Sequence, residues 1–345
     1  MSRLLSGSVA PGFSAIPAPS AASGIRLVYA DPRSRSLVLA FIEVGSGSEA
    51  PMESTVIDRI AEGADPSPEF GSHAYADLGD IEYLAYLDRA ADGSLTLRQL
   101  RRARGAKSWA VDLLEPVGRP LALLADGDEV HLLRSDGGLI DERVSGSARE
   151  ESVRLLEPFD PRGAVSLVRG SPRDLVTVYD ASSGNVLVAH VERGKAVTSF
   201  LKRPAGTTFG AVSGARRDSS GALCLFYYDA SSRSLLDLRD AEGEPKLVRV
   251  SKARDVTAVF AFSRGEYTGY LYAELAPDSS GHLTSTLTLL ETRGNGLGGR
   301  AKRRTLSTSA LPYTALQAYA ASGELRIVAL TGDLLLLRVG LTDGT

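Results

Sequence analysis

Aspartate recurs in short turns that follow apolar stretches along the chain. Five turn aspartates are candidates for a binding surface, with Glu274 and Asp333 at two equivalent positions: Asp31, Asp88, Asp136, Asp180 and Asp229. If the turns share one face of the fold, their carboxylates form an acidic ring that suits a cation or a basic partner. The alternative is that each aspartate accepts hydrogen bonds from its own turn, which accounts for the Asp, Ser and Gly content of these segments.

Two other polar residues, His73 and Gln317, lie in stretches rich in Ala, Ser and Gly. If these stretches line a central channel, a small-molecule site would form at the channel mouth, where loops converge. The four histidines lie more than 50 residues apart and lack the ligand spacing of a zinc site. No Ser/His/Asp or Cys/His grouping is present locally, so we predict no catalytic residue, no metal site and no cofactor. The single cysteine, Cys224, lies in an apolar stretch that predicts a buried, unreactive thiol.

Tyrosine recurs at the end of the strand that precedes each of several turns. The positions are Tyr29, Tyr86, Tyr179, Tyr228 and Tyr272. Such rings could stack on sugars. Their repetition at a strand end favours packing between neighbouring sheets instead, with the hydroxyl reaching the wet edge.

One hairpin pattern positions all of these residues. Its clearest copy is Tyr179–Gly194, in which an apolar strand ends in an Asp-Ser-Gly turn and a second strand ends at Gly. Aligning the chain on this pattern gives seven copies, spaced by 57, 47, 46, 49, 44 and 58 residues; the anchors are Tyr29, Tyr86, Leu133, Tyr179, Tyr228, Tyr272 and Leu330. This period is typical of a propeller with four strands per repeat. The predicted fold is therefore all-β, a seven-bladed β-propeller of four-stranded antiparallel blades.

The other strands of each repeat follow from composition. Stretches rich in small residues precede each hairpin and suit innermost strands that converge on one axis. Second strands such as Leu223–Tyr228 are apolar on both faces, as expected between neighbouring sheets. The sequence LLEP recurs at Leu113–Pro116 and Leu155–Pro158, in predicted outer strands. The segment Met52–Glu62 fits a short amphipathic helix by spacing, but its alignment with the segment from Ser108 favours an outer strand.

We predict one domain, residues 1–345. Its blades cover approximately residues 11–63, 64–117, 118–159, 160–206, 207–252, 253–309 and 310–345. The last blade lacks an outer strand, because only residues 341–345 follow its final hairpin strand. The segment Ser2–Leu5 resembles the outer-strand sequence Val153–Leu156. We therefore expect residues 1–10 to supply the missing strand, with residues 2–8 pairing to the last blade and closing the ring.

The hairpin pattern resembles the degenerate sialidase-like propeller repeats of bacteria, which begin with a Tyr-Tyr-Asp hairpin. The matching residues are Tyr227-Tyr228-Asp229 with Leu235, Tyr179-Asp180 with Leu187, Tyr86 and Asp88 with Leu95, Tyr29 and Asp31 with Leu37, and Trp109 at an outer-strand position. The resemblance covers nearly the whole chain and implies a seven-bladed propeller, although most such repeats have no assigned activity. No stretch fits the Ser-x-Asp-x-Gly-x-Thr-Trp box of true sialidases, so no catalytic residue is carried over.

The composition and net charge of the chain bear on which classes of partner it can bind. The chain has 345 residues, of which 43% are hydrophobic and 23% charged, as in ordinary globular proteins, and its net charge is −3. This weak charge gives no support for nucleic acid or an anionic membrane as a partner, and no segment approaches the roughly 20 apolar residues of a membrane span. The N-terminus lacks the apolar core of a signal peptide. This N-terminus is consistent with a cytoplasmic protein and also with an exported protein whose signal has been removed.

These features predict a monomeric, non-enzymatic binding or scaffold protein that engages a protein or glycan on one face or at the channel mouth. The alternative is a degenerate sialidase-like enzyme acting on glycans, or a lectin. The single tryptophan counts against the lectin, because sugar sites favour stacked aromatic rings.

Overall fold

The computed structural model describes most of the chain. The described residues are 2–5, 13–17, 24–31, 36–43, 52–59, 73–77, 80–89, 95–103, 106, 108–113, 118–126, 129–145, 148–168, 174–218, 221–241, 244–264, 266–293, 301–321, 324–331 and 334–340. Within these ranges the regular structure is entirely β-strand.

The described strands form seven four-stranded antiparallel sheets, here named I to VII. The first strand, β1 (Ser2–Leu5), belongs to sheet VII. Sheet I contains β2 (Phe13–Pro17), β3 (Gly24–Asp31), β4 (Ser36–Glu43) and β5 (Met52–Arg59). Sheet II contains β6 (His73–Asp77), β7 (Ile81–Arg89), β8 (Leu95–Ala103) and β9 (Ala110–Leu113). Sheet III contains β10 (Arg119–Asp126), β11 (Glu129–Ser135), β12 (Leu139–Ser145) and β13 (Ala148–Leu156).

The later sheets repeat this order. Sheet IV contains β14 (Pro161–Val168), β15 (Leu175–Asp180), β16 (Asn185–Glu192) and β17 (Lys195–Leu201). Sheet V contains β18 (Phe209–Arg217), β19 (Leu223–Asp229), β20 (Ser234–Ala241) and β21 (Glu244–Lys252). Sheet VI contains β22 (Val256–Arg264), β23 (Tyr267–Pro277), β24 (Leu283–Arg293) and β25 (Lys302–Ser309). Sheet VII adds β26 (Ala315–Ala321), β27 (Glu324–Leu330) and β28 (Leu334–Gly340) to β1.

The segment from Met52 is a strand, so the helical alternative is wrong. It pairs with β4, with Met52 opposite Ile42 and Val56 opposite Val38. The apolar spacing that suggested a helix is satisfied instead by a fourth strand, whose backbone groups bond to the sheet.

The N-terminal strand pairs with the last strand of the chain. Ser2 lies opposite Leu336 and Leu5 opposite Leu334, with an irregularity between Arg3 and Leu5. Sheet VII thus obtains its fourth strand from the other end of the chain, as the sequence indicated. Residues 6–8, the rest of the predicted pairing segment, lie outside the described residues.

Apolar clusters between consecutive sheets form the core. Sheets V and VI enclose Phe226, Tyr228, Tyr270 and Tyr272. Corresponding clusters lie between sheets I and II, II and III, III and IV, IV and V, and VI and VII. The predicted double-sided burial of the second strands is confirmed, since all but the first residue of β19 are buried.

The recurrent tyrosines pack within this core. Tyr29, Tyr86, Tyr228 and Tyr272 are buried. Tyr179 is partly buried and meets the ring of Phe209 nearly edge-on, with centroids 5.5 Å apart. Tyr86, Tyr228 and Tyr272 pack between sheets. None of the four buried rings is available for sugar stacking.

Each sheet has two ends. The turn face, as used here, is the end that carries the turns between second and third strands and the connections leading to the next sheet. On this face the nitrogen of Ala181 donates to the carbonyl of Asp160 at 2.8 Å, and that of Ala230 to Thr208 at 3.1 Å. These bonds tie each turn to the connection that enters its sheet. The opposite face carries the remaining turns.

Deletion of residues 1–9 should lower the melting temperature by several degrees, because β28 loses its outer neighbour and its hydrogen bonds to β1. Thermal unfolding followed by circular dichroism measures this. A matched control, Val9→Ser, keeps β1 and alters the one apolar residue in the rest of the deleted segment, where residues 6–8 are Ser, Gly and Ser. Equal melting temperatures for the deletion and the wild type would contradict the role of β1.

Candidate functional site

The structure places the predicted turn aspartates unequally. Asp180 and Asp229 end β15 and β19 and are only 1% and 2% exposed. Asp136 lies exposed in the turn between β11 and β12. Asp31 ends β3 and Asp88 is the penultimate residue of β7, and the side chains of both lie outside the described part.

The two predicted channel residues lie on edge strands of sheets II and VII. His73 is the first residue of β6, opposite Tyr86, and its side chain is outside the described set. Gln317 is partly buried near the middle of β26, opposite Val328. Each residue therefore lies on a strand at the edge of its sheet, while the central channel and a joint site of these two residues stay predictions.

Asp229 organises the turn of sheet V. Its Oδ1 accepts hydrogen bonds from the nitrogen of Thr208 at 2.7 Å and from the hydroxyl of Ser231 at 2.7 Å. Its Oδ2 accepts from the nitrogen and hydroxyl of Ser232 at 3.2 and 2.5 Å. The carboxylate therefore binds its own turn and the connection from sheet IV together.

Asp180 repeats this arrangement in sheet IV. Its Oδ1 accepts from the nitrogen of Asp160 at 3.0 Å and from the hydroxyl of Ser182 at 2.7 Å, and its Oδ2 accepts from the nitrogen of Ser183 at 3.2 Å. Both carboxylates face inward and are occupied by internal donors. At these two positions the aspartates serve as hydrogen-bond acceptors for their own turns, and they do not contribute to an acidic surface.

The same donors stabilise the charged form of both carboxylates. Burial alone raises the pKa of Asp229, but hydrogen bonds from Ser232, Ser231 and Thr208 outweigh it and lower the pKa to about 2. For Asp180, hydrogen bonds from Ser183, Asp160 and Ser182 likewise overcome burial and lower the pKa. Both side chains therefore stay ionised at neutral pH.

A group of charged side chains surrounds His131 near the opposite face. His131, in β11, is 1% exposed, and its Nδ1 lies 2.9 Å from Oδ1 of Asp141 in β12. Its Nε2 lies 3.9 Å from Oε2 of Glu129. Arg143 donates to the other carboxylate oxygen of Glu129 at 3.0 Å. The imidazole thus lies between a buried and a partly exposed carboxylate.

The turn between β16 and β17 of sheet IV closes this group. The nitrogen of Gly194 donates to Oδ2 of Asp126 at 2.8 Å, and that of Ala196 to Oδ2 of Asp141 at 3.2 Å. Gly194 has a φ of 68°, in the left-handed region, and a Cβ there would lie 2.8 Å from Oε2 of Glu129. Glycine therefore permits both the turn conformation and the close approach of the two sheets.

The charges around His131 favour its imidazolium form. Burial alone lowers the pKa of His131, but the hydrogen bond and charge of Asp141, with the charges of Glu129 and Asp126, raise it above its usual value. Two uses fit this arrangement: an ionic link between sheets III and IV, and a proton donor oriented by a carboxylate.

A second buried charged group joins sheets V and VI. Oδ2 of Asp237 accepts hydrogen bonds from Arg216 at 2.6 Å, from Tyr270 at 2.9 Å and from Arg239 at 3.3 Å. Cys224 is buried nearby, and burial is the main cause that raises the pKa of its thiol to about 11. The thiol is therefore protonated at neutral pH, and its predicted burial is confirmed.

Sequence reasoning missed both buried groups. The group around His131 could have been found from the hairpin register. Across the turn at residues 136–138, Ser135 pairs with Leu139, and the same register places His131 opposite Arg143 and diagonal to Asp141. Cross-strand and diagonal neighbours lie within reach of one another. The group at Asp237 lacks so simple a signal, because it combines residues from two sheets.

The described ranges contain neither a metal-binding cluster nor a membrane-spanning helix. No three His, Cys, Asp or Glu side chains among these residues are grouped so as to hold a metal ion. In the same part of the chain, no helix has the length and apolar character needed to cross a bilayer.

The chain is similar to known proteins at the level of fold alone. No protein family description matches it, and no curated protein sequence does. The polysaccharide lyase Uly1 is similar with a TM-score of 0.56 and 9% identity, over 93% of this chain and 88% of that one. YCF48 from Cyanidioschyzon merolae is similar with a TM-score of 0.55 and 12% identity, over 96% of this chain and 99% of that one. These likenesses support a β-propeller-like, all-β architecture.

Replacing Asp229 with Ala should destabilise the protein by about 2–4 kcal/mol, because several buried donors lose their acceptor. The pKa of Asp229 is about 2 in the folded state, below the ordinary 3.8. The stability it contributes is therefore present above about pH 4 and lost as the pH falls towards 2. Urea unfolding of both proteins at pH 7 and pH 3 should show a smaller difference at pH 3. The exposed Asp136→Ala is the control, and an equal effect of both substitutions would contradict this role.

Replacing His131 with Asn should destabilise the protein most at low pH. The folded-state pKa of His131 is raised above the ordinary 6.5. Its stabilising contribution is therefore complete below the unfolded pKa and is lost as the pH rises through the folded pKa. Unfolding free energies of wild type and His131→Asn between about pH 5.5 and 8.5 test this. The exposed His282→Asn is the control for loss of an imidazole at one pH. A difference between wild type and His131→Asn that grows with pH would refute the ionic link.

Proposed function

We propose that the chain is a monomeric binding or scaffold protein built as a closed, seven-bladed, sialidase-like propeller over residues 1–345. The seven sheets, their packing in chain order and the pairing of β1 with β28 support this architecture. In such a ring, His73 and Gln317 both line the central channel. Its blades follow the divisions at about residues 63, 117, 159, 206, 252 and 309 given above.

One hairpin of sheet VI carries the binding proposal. Strands β23 and β24 are 11 residues long, whereas the second and third strands of the other sheets have six to nine residues. The extra length lies on the turn face, where Pro277 is opposite Leu283. The hairpin therefore projects beyond its neighbours on this face.

The projecting hairpin and the following connection expose apolar side chains. Leu283 is 64% exposed and Leu311 is 53% exposed, more than any other large apolar side chain in the described ranges. Leu283 precedes Ser285 by two residues, Leu311 follows Ser309 by two, and Ser285 pairs with Ser309. The two leucines thus share one end of sheet VI, and exposed apolar side chains grouped in this way are typical of protein contact surfaces.

A second candidate is a protein that acts on glycans. It is favoured by the position of His131 between Asp141 and Glu129, since an imidazole oriented by a carboxylate is a common proton donor or acceptor. The mutual pairing of these groups across sheets III and IV favours the binding role over this one.

A pull-down from the native extract beside a glycan array separates the two candidates. The wild-type protein should retain a protein partner that Leu283→Ser/Leu311→Ser fails to retain, because removing exposed leucines weakens an apolar contact. Val153→Ser/Leu247→Ser, which alters exposed positions on outer strands, is the matched control. Specific glycan binding or turnover lost in His131→Asn, with no protein retained, would favour the second candidate. If the wild-type protein retains no protein partner, the binding role is rejected.

A further inference from the structure

Exposed cations are grouped on the turn face of sheets IV to VI, where the turn aspartates Asp180 and Asp229 are buried. Three segments form this surface: the connection 202–208, the turn 230–233 and the segment 249–255. Their six basic side chains are all exposed: Lys202, Arg203, Arg233, Arg249, Lys252 and Arg254. Within the same three segments the one acidic residue is Asp255, and the turn aspartates Asp180 and Asp229 are buried. We name these six residues the basic patch.

Hydrogen bonds hold the three segments together. The nitrogen of Arg203 donates to the side-chain oxygen of Asn185 at 3.0 Å, which fixes the connection over the turn of sheet IV. The hydroxyl of Ser231 donates to the carbonyl of Gly206 at 3.3 Å, so this connection also contacts the turn of sheet V.

The turn of sheet V continues the surface towards sheet VI. The carbonyl of Arg233 accepts from the nitrogen of Ala253 at 3.1 Å. Arg249 donates to the hydroxyl of Ser234 at 2.8 Å, which brings its guanidinium to the same turn. The basic patch is therefore one continuous surface.

The cations of the basic patch are not neutralised internally. None of the six forms an ion pair with a carboxylate within the described ranges. Beside the patch such pairs exist: Arg162 lies 3.0 Å from Asp160. Arg303 lies 3.2 Å from Glu274, whose other carboxylate oxygen accepts a hydrogen bond from the backbone nitrogen of Arg254 at 3.0 Å. The carboxylates of Asp180 and Asp229 bind N–H and O–H donors of their own turns and connections. In a chain of net charge −3, this leaves a local surplus of positive charge.

We infer that the basic patch binds an acidic segment of a protein partner, rich in Asp and Glu. Four of the six cations are arginines, whose planar guanidinium binds a carboxylate through two parallel hydrogen bonds. The exposed residues of the three segments include no aromatic side chain on which a base or a sugar ring could stack. The net negative charge of the chain also opposes long polyanions such as nucleic acid.

This inference rests on the proposed binding role and names the chemistry of its partner. The projecting hairpin of sheet VI adjoins the patch, because the nitrogen of Leu275 donates to the carbonyl of Asp255 at 3.1 Å. An acidic segment on the patch would thus continue into an apolar contact at Leu283 and Leu311. Charge would govern the rate of encounter, and the leucines the lifetime of the complex.

The test uses a fluorescein-labelled peptide of alternating Glu and Gly and the full-length protein. Fluorescence anisotropy should show binding at low salt that weakens as salt is added, because exposed charges are screened. Lys252→Glu/Arg254→Glu should weaken binding by about tenfold or more, because two attractions become repulsions. The matched control, Lys195→Glu/Lys246→Glu, makes the same charge change at exposed positions away from the turn face and should stay within about twofold. Equal melting temperatures establish that both variants are folded.

Several outcomes would overturn the inference. Equal binding by the patch variant and the wild type would do so, as would no binding at low salt. Tighter binding of duplex DNA or a sulfated polysaccharide than of the peptide would assign the patch to that polyanion instead. A partner that is retained through Leu283 and Leu311 but not through Lys252 and Arg254 would leave the binding role intact and reject the acidic segment. Failure to retain any partner would reject the binding role itself.

Discussion

No four-stranded sheet of this chain can bury its own apolar faces, and the rest of the structure depends on that constraint. Strand β19 has an apolar run with no polar face, so sheet V alone would expose Leu225 and Phe226 on opposite sides. Packing between consecutive sheets removes both faces from water, at roughly 25 cal/mol per Å² of apolar surface. Solvent then reaches the protein mainly at the sheet ends and the outer strands, so recognition must use the turns and connections.

Buried carboxylates serve as polar links within this arrangement. Each draws donors from a neighbouring sheet or connection: Asp229 from Thr208, Asp141 from Ala196, and Asp237 from Tyr270. Because a buried carboxylate is costly unless its oxygens accept hydrogen bonds, these contacts fix the relative position of adjacent sheets. Asp180 and Asp229 are two such buried carboxylates. Because their charges are buried, the exposed charges in segments 202–208, 230–233 and 249–255 are mostly lysines and arginines.

The sequence allowed the strands to be predicted because their signals are local. Apolar runs, small inner residues and Asp-Ser-Gly turns recur along the repeats. The pairing of β1 with the last repeat was predicted because that repeat lacks an outer strand of its own. The turn role of the aspartates was one of two predicted alternatives, but the burial of Asp180 and Asp229 was not predicted. Asp180 and Asp229 are buried because connections about 20 residues earlier supply Asp160 and Thr208 as donors. The basic residues of connections such as 202–208 lie between the repeats, and only packing brings them together.

The pairing of β1 with β28 also sets sheet VII apart from the other six sheets. Sheets I to VI each combine four strands that follow one another in the sequence, whereas sheet VII pairs Ser2–Leu5 with Leu334–Leu336, roughly 330 residues away. A contact between such distant segments forms slowly, because the chain entropy lost in closing the loop precedes the gain from the contact. Until β1 docks, β28 presents an unpaired edge, and an unpaired edge is a template on which another chain can add a strand.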